Sequence, residues 1–239
     1  MDWLTEQPIA HRGLHSSRVP ENTLPAFGAA VEAGYPVECD VRLTEDGVPV
    51  VVHDESLRRL TGRDCDVSRT LWATLRQSSV GDSGDRIPRL RSLLRTVDGH
   101  VPILVELKGR GLPGRLEATV AGVLDTYDGA FAVQSFNPLS VLWFRRNRPD
   151  WPRGLLGGKP ESVTPPERLV ATYLLGRRLC APDFLAYEYD RLPAWAVTCA
   201  PTDLPVLAWT IRSEPERRRA LRHADNVIFE DIRPPTTRG

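Results

Sequence analysis

The feature that most constrains the fold is a regular alternation of short β-type runs with helical stretches along the chain. Apolar residues three and four positions apart mark the helical stretches, which include residues 24–33, 116–127, 138–146 and 215–223. Eight runs are typical of strands, at residues 8–11, 36–42, 101–106, 131–134, 153–156, 184–187, 205–209 and 226–229. Eight alternating units over 239 residues favour a (β/α)8, or TIM, barrel.

A doubly wound open sheet is the main alternative to the barrel. No GxGxxG or GxxxxGK[ST] segment follows any predicted strand, so the usual nucleotide-binding signatures of that alternative are missing. The chain shows neither an internal repeat nor a clear linker. We therefore expect a single domain over residues 1–239, with a frayed tail at 233–239.

Composition narrows the classes of protein that the chain can be. Because 31 Lys and Arg balance 31 Asp and Glu, a nucleic-acid partner is not expected. The first eight residues have no apolar core, and no apolar run approaches the roughly 20 residues that span a bilayer. None of the four cysteines forms a CxxC pair. These observations predict a soluble, cytoplasmic protein without stable membrane insertion.

A short β-hairpin is expected directly after the second strand. Residues 49–53 are strand-like, and only the four residues 44–47 separate them from that strand, which leaves no room for a crossover helix. An antiparallel return with Asp46-Gly47 at the turn satisfies this spacing. Pairing of Leu43 with Val48 would place Glu38 opposite His53.

Acidic side chains lie on two of the predicted strands. Glu38 and Asp40 alternate with apolar neighbours and therefore point to the same face. They are either ligands of a hard cation such as Mg²⁺ or Ca²⁺ or exposed acids on an edge strand. Glu106 ends a very apolar strand, and Lys108 follows on the same face. Glu106 could be a third ligand and Lys108 a group that binds an anionic substrate. The alternative is that the two residues form a salt bridge at the barrel rim.

Histidines end two strand-like segments of the chain. His11, followed by Arg12, and His53 each come after apolar residues. Two imidazoles beside a phosphate would make an acid–base pair near neutral pH, and an Arg guanidinium suits bidentate phosphate contact. A structural role is the alternative for either histidine. We interpret the other histidines as surface residues: His15, His100 and His223.

Together these motifs resemble one known family, the glycerophosphodiester phosphodiesterases. The order and approximate spacing of the motifs both match the family pattern. The similarity is dense between residues 9 and 62 and continues as short islands beyond them. The matching segments are His11-Arg12-Gly13, Glu21-Asn22-Thr23, Glu38-Cys39-Asp40, Thr44-Glu45-Asp46-Gly47, His53-Asp54, residues 57–62, Glu106-Leu107-Lys108, Gln134-Ser135-Phe136 and Trp209-Thr210.

The resemblance implies a fold, a cofactor and a reaction. Members of the family are TIM barrels with one divalent cation, usually Mg²⁺ or Ca²⁺. The family's ligands correspond to Glu38, Asp40 and Glu106, and its catalytic histidines to His11 and His53. Members hydrolyse small glycerophosphodiesters to an alcohol and sn-glycerol 3-phosphate.

The resemblance also implies substrate contacts and leaves some polar residues without a role. Arg12 and Lys108 correspond to the groups at the phosphate. Trp209 ends a predicted strand, where it either packs against the substrate's glycerol or fills the core. Glu188 and Glu230 have no assigned role. A homodimer is a further expectation.

Two other functions remain open at this point. One is a phospholipase D-like phosphodiesterase that acts on lyso-phospholipids or other phosphodiesters. The other is a barrel that binds phosphodiesters without turnover. Two histidines beside three carboxylates favour the enzymes, because a binding protein has no need of an acid–base pair.

Overall fold

The structure is a computed structural model that describes residues 1–109, 111–159, 165–198 and 204–236. The chain folds into two compact units. The amino-terminal unit comprises Ala10–Lys108 and Gly114–Ala130, and the carboxy-terminal unit comprises Met1–Ile9, Gly109–Pro113 and Phe131–Gly239. The chain begins with helix α1 (Trp3–Glu6) and strand β1 (Ile9–Ala10).

The amino-terminal unit is built around parallel strands with helices between them. Strand β2 (Val37–Leu43) pairs in parallel with β4 (Ile103–Leu107), and at its start with Ala10 of β1. Helix α5 (Leu90–Val97) buries Leu90, Leu93, Leu94 and Val97, the apolar stripe expected of a helix that covers a sheet. The elements are α2 (Leu24–Glu32), β2 (Val37–Leu43), β3 (Pro49–Val51), α3 (Arg58–Thr61), a 3-10 helix (Val67–Arg69), α4 (Trp72–Leu75), α5 (Leu90–Val97), β4 (Ile103–Leu107) and α6 (Arg115–Leu124).

The carboxy-terminal unit carries five parallel strands, each of which pairs with the next one along the chain. The side chains of Asn137 and Ser213 cap two of its helices, each accepting a hydrogen bond from a backbone N–H of the first turn. The elements are β5 (Phe131–Ser135), α7 (Pro138–Asn147), β6 (Arg153–Gly157), α8 (Pro165–Tyr173), α9 (Arg177–Cys180), β7 (Phe184–Glu188), a 3-10 helix (Tyr189–Arg191), α10 (Trp195–Thr198), β8 (Val206–Ile211), α11 (Glu214–Ala220) and β9 (Asn226–Phe229).

The fold class is the TIM barrel, as the alternation of strands and helices predicted. All eight predicted strands are present, as β1, β2 and β4 to β9. The four predicted helices correspond to α2, α6, α7 and α11. Every residue of β4 and of β9 is buried, which explains why these segments are almost wholly apolar in sequence.

The predicted hairpin is present, but its predicted register was wrong by one residue. Strand β3 pairs antiparallel with β2, with Leu43 opposite Pro49 rather than Val48. Thr44 and Val48 close a three-residue loop through the bond from the Thr44 N–H to the Val48 carbonyl, 3.1 Å. Gly47 takes the left-handed conformation (φ +82°) that such a loop requires at its last position. The predicted loop was one residue longer, which caused the shift.

Three further expectations concern the domain organisation, the carboxy-terminal tail and membrane insertion. The single domain over residues 1–239 and the frayed tail stay predictions, and residues 237–239 lie outside the described part of the chain. Among the residues described, no helix has both the length and the apolar character needed to cross a membrane.

Candidate active site

The site begins with a tight turn directly after β1. Gly13 has a φ of +79°, and an added Cβ there would lie 2.7 Å from the backbone carbon of Ala26. The preceding residue, Arg12, donates its backbone N–H to Oε2 of Glu38 at 3.0 Å. Its carbonyl accepts the N–H of Asn22, also at 3.0 Å. The turn is therefore fixed to β2, and only glycine fits at its third position.

Three carboxylates meet on two adjacent strands. Glu38 and Asp40 point to one face of β2, and Glu106 of β4 lies directly opposite Asp40 in the parallel register. Oxygen atoms of the three groups lie within 4.8 Å of one another. The three residues are 1%, 0% and 6% exposed. Buried carboxylates at this density require compensating positive charge.

Two side-chain cations supply part of that charge to Asp40. Nζ of Lys108 lies 2.9 Å from Oδ1 and also contacts Oε1 of Glu106. Nε of Arg12 lies 3.1 Å from Oδ2, which accepts a hydrogen bond from Nδ2 of Asn22 at 2.9 Å. Burial alone would raise the pKa of Asp40, but Lys108 and Arg12 outweigh it and hold the pKa well below its usual range.

Glu38 differs from Asp40 in its electrostatic environment. Burial, followed by the neighbouring charges of Asp40 and Glu106, raises its pKa well above the ordinary value. Its Oε1 atom is buried and accepts no hydrogen bond from any described residue. With all three carboxyl groups ionised, Arg12 and Lys108 would leave one negative charge without compensation. A hard divalent cation such as Mg²⁺ or Ca²⁺, which prefers carboxylate oxygens, fits this donor set.

Two histidines lie at the border of the carboxylate cluster. Nε2 of His11 is 3.9 Å from Oε2 of Glu38. The charge of His53 contributes to the lowered pKa of Asp40. The side chains of His11 and His53 are 14% and 24% exposed, so both retain contact with solvent. Partly exposed imidazoles beside buried carboxylates can exchange protons with a bound molecule.

The sequence places four further residues of the site only within the motifs that carry the family resemblance. Nδ1 of His53 forms a hydrogen bond with Oδ1 of Asp54 at 2.7 Å. Adjacent polar residues within a motif were the only available signal, because most of their contacts join distant segments. The four residues are Glu21, Asn22, Asp54 and Arg59.

Seven of the eight predicted site residues lie together in the amino-terminal unit, and Trp209 belongs to the carboxy-terminal unit. Trp209 lies on β8, where its ring packs edge-on against Phe136 with centroids 5.6 Å apart. Its buried Nε1 has no hydrogen-bond acceptor among the described residues. Trp209, Lys159 and Glu188 line a cavity of about 630 Å³.

The two acids without an assigned role also lie in the carboxy-terminal unit, and each pairs with an arginine. Oε2 of Glu188 accepts hydrogen bonds from Nε of Arg191 at 2.8 Å and from the backbone N–H of Lys159 at 2.7 Å. Oε1 of Glu230 lies 2.6 Å from Nε of Arg212. Each of the two acids therefore has an arginine partner.

Comparison with known proteins identifies the family. The model of the glycerophosphoryl diester phosphodiesterase family matches residues 11–231, which include every residue of the cluster. The chain belongs to this family. As a member of the glycerophosphoryl diester phosphodiesterase family, the protein is an enzyme of the phosphoric diester hydrolase class.

Individual family members resemble the chain over nearly its whole length. A glycerophosphodiester phosphodiesterase of Caldanaerobacter subterraneus subsp. tengcongensis is 28% identical over 235 residues, 93% of each protein. An Oleispira antarctica phosphodiesterase, solved with the product sn-glycerol-3-phosphate, superposes with a TM-score of 0.80 at 26% identity, covering 95% of this chain and 93% of that one. The Thermotoga maritima glycerophosphodiester phosphodiesterase gives 0.71 at 26% identity and 94% coverage of each chain.

Proposed function

We propose that this enzyme hydrolyses glycerophosphodiesters to an alcohol and sn-glycerol 3-phosphate, using one divalent cation, Mg²⁺ or Ca²⁺. The observation that carries the proposal is the buried cluster of Glu38, Asp40 and Glu106 bordered by two imidazoles. The product bound to the Oleispira antarctica relative supports the same substrate class. Family membership supports the reaction type.

The charge of the cluster supports a cation and an anionic substrate in the same site. The cation would be held by Glu38, Asp40 and Glu106. When bound, it would act as a Lewis acid on a phosphate oxygen. With all three acids ionised, as metal ligands must be, and with Arg12 and Lys108 charged, a divalent ion would turn the sum of these charges from −1 to +1. A phosphodiester carries one negative charge, so the loaded site would attract it.

Arg12 and Lys108 have distinct tasks in this proposal. Nε of Arg12 lies 3.1 Å and Nζ of Lys108 lies 2.9 Å from the carboxylate of Asp40. The side chains of Arg12 and Lys108 are only 15% and 12% exposed. The planar guanidinium of Arg12 presents several donors, which suits two phosphate oxygens at once. The Lys108 ammonium is a point charge close to two carboxylates and would orient the anion by its charge. The role of Trp209 in substrate binding, for which packing in the core is the alternative, stays a prediction from its place at a strand end.

His11 and His53 would move the protons of the reaction. One imidazole takes a proton from the attacking hydroxyl, which belongs either to water or to the glycerol 2-hydroxyl. The other imidazole gives a proton to the leaving alkoxide, so that the P–O bond breaks without releasing a strong base. Attack by the 2-hydroxyl would form a cyclic phosphate, which water then opens with the two roles reversed.

The deciding experiment measures products from glycerophosphocholine and glycerophosphoethanolamine. We expect equal amounts of alcohol and sn-glycerol 3-phosphate, no release in EDTA, and recovery when Mg²⁺ or Ca²⁺ is restored. Glu106→Gln should lose the metal-restored activity, whereas His223→Ala, at an exposed histidine, should keep it. Absence of release with any metal would contradict the proposal.

The same assay separates the two alternatives. Release of choline from lysophosphatidylcholine, but not from glycerophosphocholine, would assign the enzyme to lipid substrates. Binding of glycerophosphocholine without turnover under every metal condition would indicate a non-catalytic barrel. The cytoplasmic location, the homodimer and the lack of a nucleic-acid partner stay predictions from sequence.

A further inference from the structure

The imidazole of His53 is held from one side by a carboxylate. Its Nδ1 atom lies 2.7 Å from Oδ1 of Asp54. An ionised carboxylate can only accept a hydrogen bond, so Nδ1 carries the proton in this contact. Nε2 is then the ring atom with the free lone pair. The contact therefore selects one of the two tautomers of neutral His53.

A second residue holds the Asp54 carboxylate in turn. Oδ2 of Asp54 accepts a hydrogen bond from Nε of Arg59 at 2.5 Å. The two terminal nitrogens of Arg59 donate to the two carboxylate oxygens of Glu21, at 2.7 and 3.1 Å. The rigid guanidinium fork thus bridges two carboxylates and fixes their relative orientation.

The same carboxylate connects this chain of contacts to the phosphate-binding arginine. Oε1 of Glu21 accepts hydrogen bonds from Nη1 of Arg12 at 2.8 Å and from Arg59. The side chains of Glu21 and Asp54 are 16% and 23% exposed, whereas that of Arg59 is 51% exposed. A half-exposed arginine contributes little to stability by its ion pairs. Its contacts are therefore better explained by orientation than by stability.

The neighbouring positive charges keep the carboxyl groups of Asp54 and Glu21 ionised. The hydrogen bond with His53, opposed by burial and supported by Arg59, lowers the pKa of Asp54 below its ordinary value. The pKa of Glu21 is also lowered: burial opposes this, but Arg59 and Arg12 outweigh it. Asp54 is thus an acceptor throughout the neutral range.

We propose that Asp54, Arg59 and Glu21 form a positioning relay that holds His53 as its Nδ1–H tautomer and makes Nε2 the proton-exchanging atom. The relay starts from the carboxylate that also holds Arg12, so one acid sets both the proton-transfer group and the phosphate-binding group. This inference depends on the proposed role of His53 in catalysis. Asp54, Arg59 and Glu21 are positioning residues, because they act through His53 and Arg12.

Kinetics of four variants test the relay, with a neighbouring arginine as the control. Arg59→Gln should lower kcat about tenfold with little change in KM, and Asp54→Asn should lower kcat about a hundredfold. Glu21→Gln should change KM as well, because it also frees Arg12. Arg58→Gln should match the wild type, since Arg58 is exposed and its side chain pairs with none of the residues described. Arg59→Lys should restore only part of the loss, because an ammonium lacks the fork.

A spectroscopic measurement on the whole protein separates positioning from general damage. The enzyme has five histidines, and ¹⁵N labelling of all five, with His53→Ala for assignment, gives the protonation of each ring nitrogen. We expect neutral His53 to be protonated at Nδ1 in the wild type and in Arg58→Gln. Arg59→Gln and Asp54→Asn should show a mixture of tautomers at an almost unchanged melting temperature.

The outcomes distinguish this inference from the proposed function. Unchanged His53 nitrogen shifts in both Asp54→Asn and Arg59→Gln would overturn the relay, whatever the activity. Retention of wild-type turnover by His53→Ala would instead overturn the catalytic role of His53. Mixed tautomers together with a lowered kcat would support both.

Discussion

Nζ of Lys108 lies 2.9 Å from Oδ1 of Asp40, a residue with no exposed surface. The ion pair is therefore formed almost out of contact with water, where each charge depends on the other for its solvation. Burial lowers the pKa of Lys108, but Asp40 and Glu106 outweigh that effect and raise it. The pair both stabilises the buried acids and keeps the ammonium charged.

Removal of this ammonium is expected to destabilise the enzyme. Lys108→Met leaves Asp40 and Glu106 with less compensation, and loss of one partner of a buried pair costs about 3–5 kcal/mol. Urea unfolding in EDTA measures the free-energy change. The other lysine of the chain, the exposed Lys159, offers a matched control in Lys159→Met. Equal unfolding midpoints for the two variants would show that Lys108 does not compensate the buried acids.

Metal binding is expected to release a proton from Glu38. The raised pKa of Glu38 favours its protonated form, whereas a metal ligand must be ionised. Affinity for Mg²⁺ or Ca²⁺ should therefore increase as the pH rises through that raised pKa. Titration calorimetry in buffers of different ionisation enthalpy measures the released proton. In Glu38→Gln we expect weaker binding and no proton release; an unchanged proton count there would assign the proton to another group.

Loss of either histidine is expected to abolish most turnover without unfolding the protein. Acid–base catalysis contributes about 10²–10⁴-fold, so His11→Ala and His53→Ala should lower kcat by factors in that range. Melting temperature and calorimetric metal binding should stay near the wild-type values. His223→Ala tests whether removal of an exposed imidazole has any general effect. A variant at His11 that keeps most of its turnover would remove His11 from the mechanism.

Two glycine substitutions are expected to have opposite effects on stability. Gly13→Ala should destabilise by more than about 1 kcal/mol, because φ is +79° and the new Cβ would lie 2.7 Å from the Ala26 backbone. Gly28 lies inside helix α2, with nothing within 4 Å of an added Cβ. Gly28→Ala should therefore stabilise by about 0.5–1 kcal/mol. Thermal or urea unfolding measures both, and a neutral Gly13→Ala would show that the turn after β1 can relax.

The hairpin shows which features of a structure a local sequence pattern can predict and which it cannot. The apolar run after the second strand and the Asp46-Gly47 pair were sufficient to predict an antiparallel return. They were not sufficient to fix its register, because loops of three and of four residues both satisfy the spacing. The Thr44 side chain decides between them in the structure: its Oγ1 accepts the N–H of Val48 at 2.9 Å. That contact leaves Leu43 opposite Pro49.

The site shows the same division between local and long-range information. Strand periodicity placed Glu38 and Asp40 on one face, and the strand end placed Glu106 and Lys108 together. The contact between Arg59 and Glu21 joins residues 38 positions apart, and that between Asn22 and Asp40 joins residues 18 positions apart. No spacing rule predicts such pairs, since they depend on how loops cross the ends of different strands.

The sequence by itself determined the order of strands and helices, the face on which the acids lie and the identity of the candidate ligands. These follow from local periodicity and from side-chain chemistry. Only the tertiary structure decided that the pKa of Glu38 is raised while that of Asp40, two residues away, is lowered. The physical reason is distance: Lys108 and Arg12 lie within about 3 Å of Asp40. Glu38 has burial and two like charges as the main influences on its pKa.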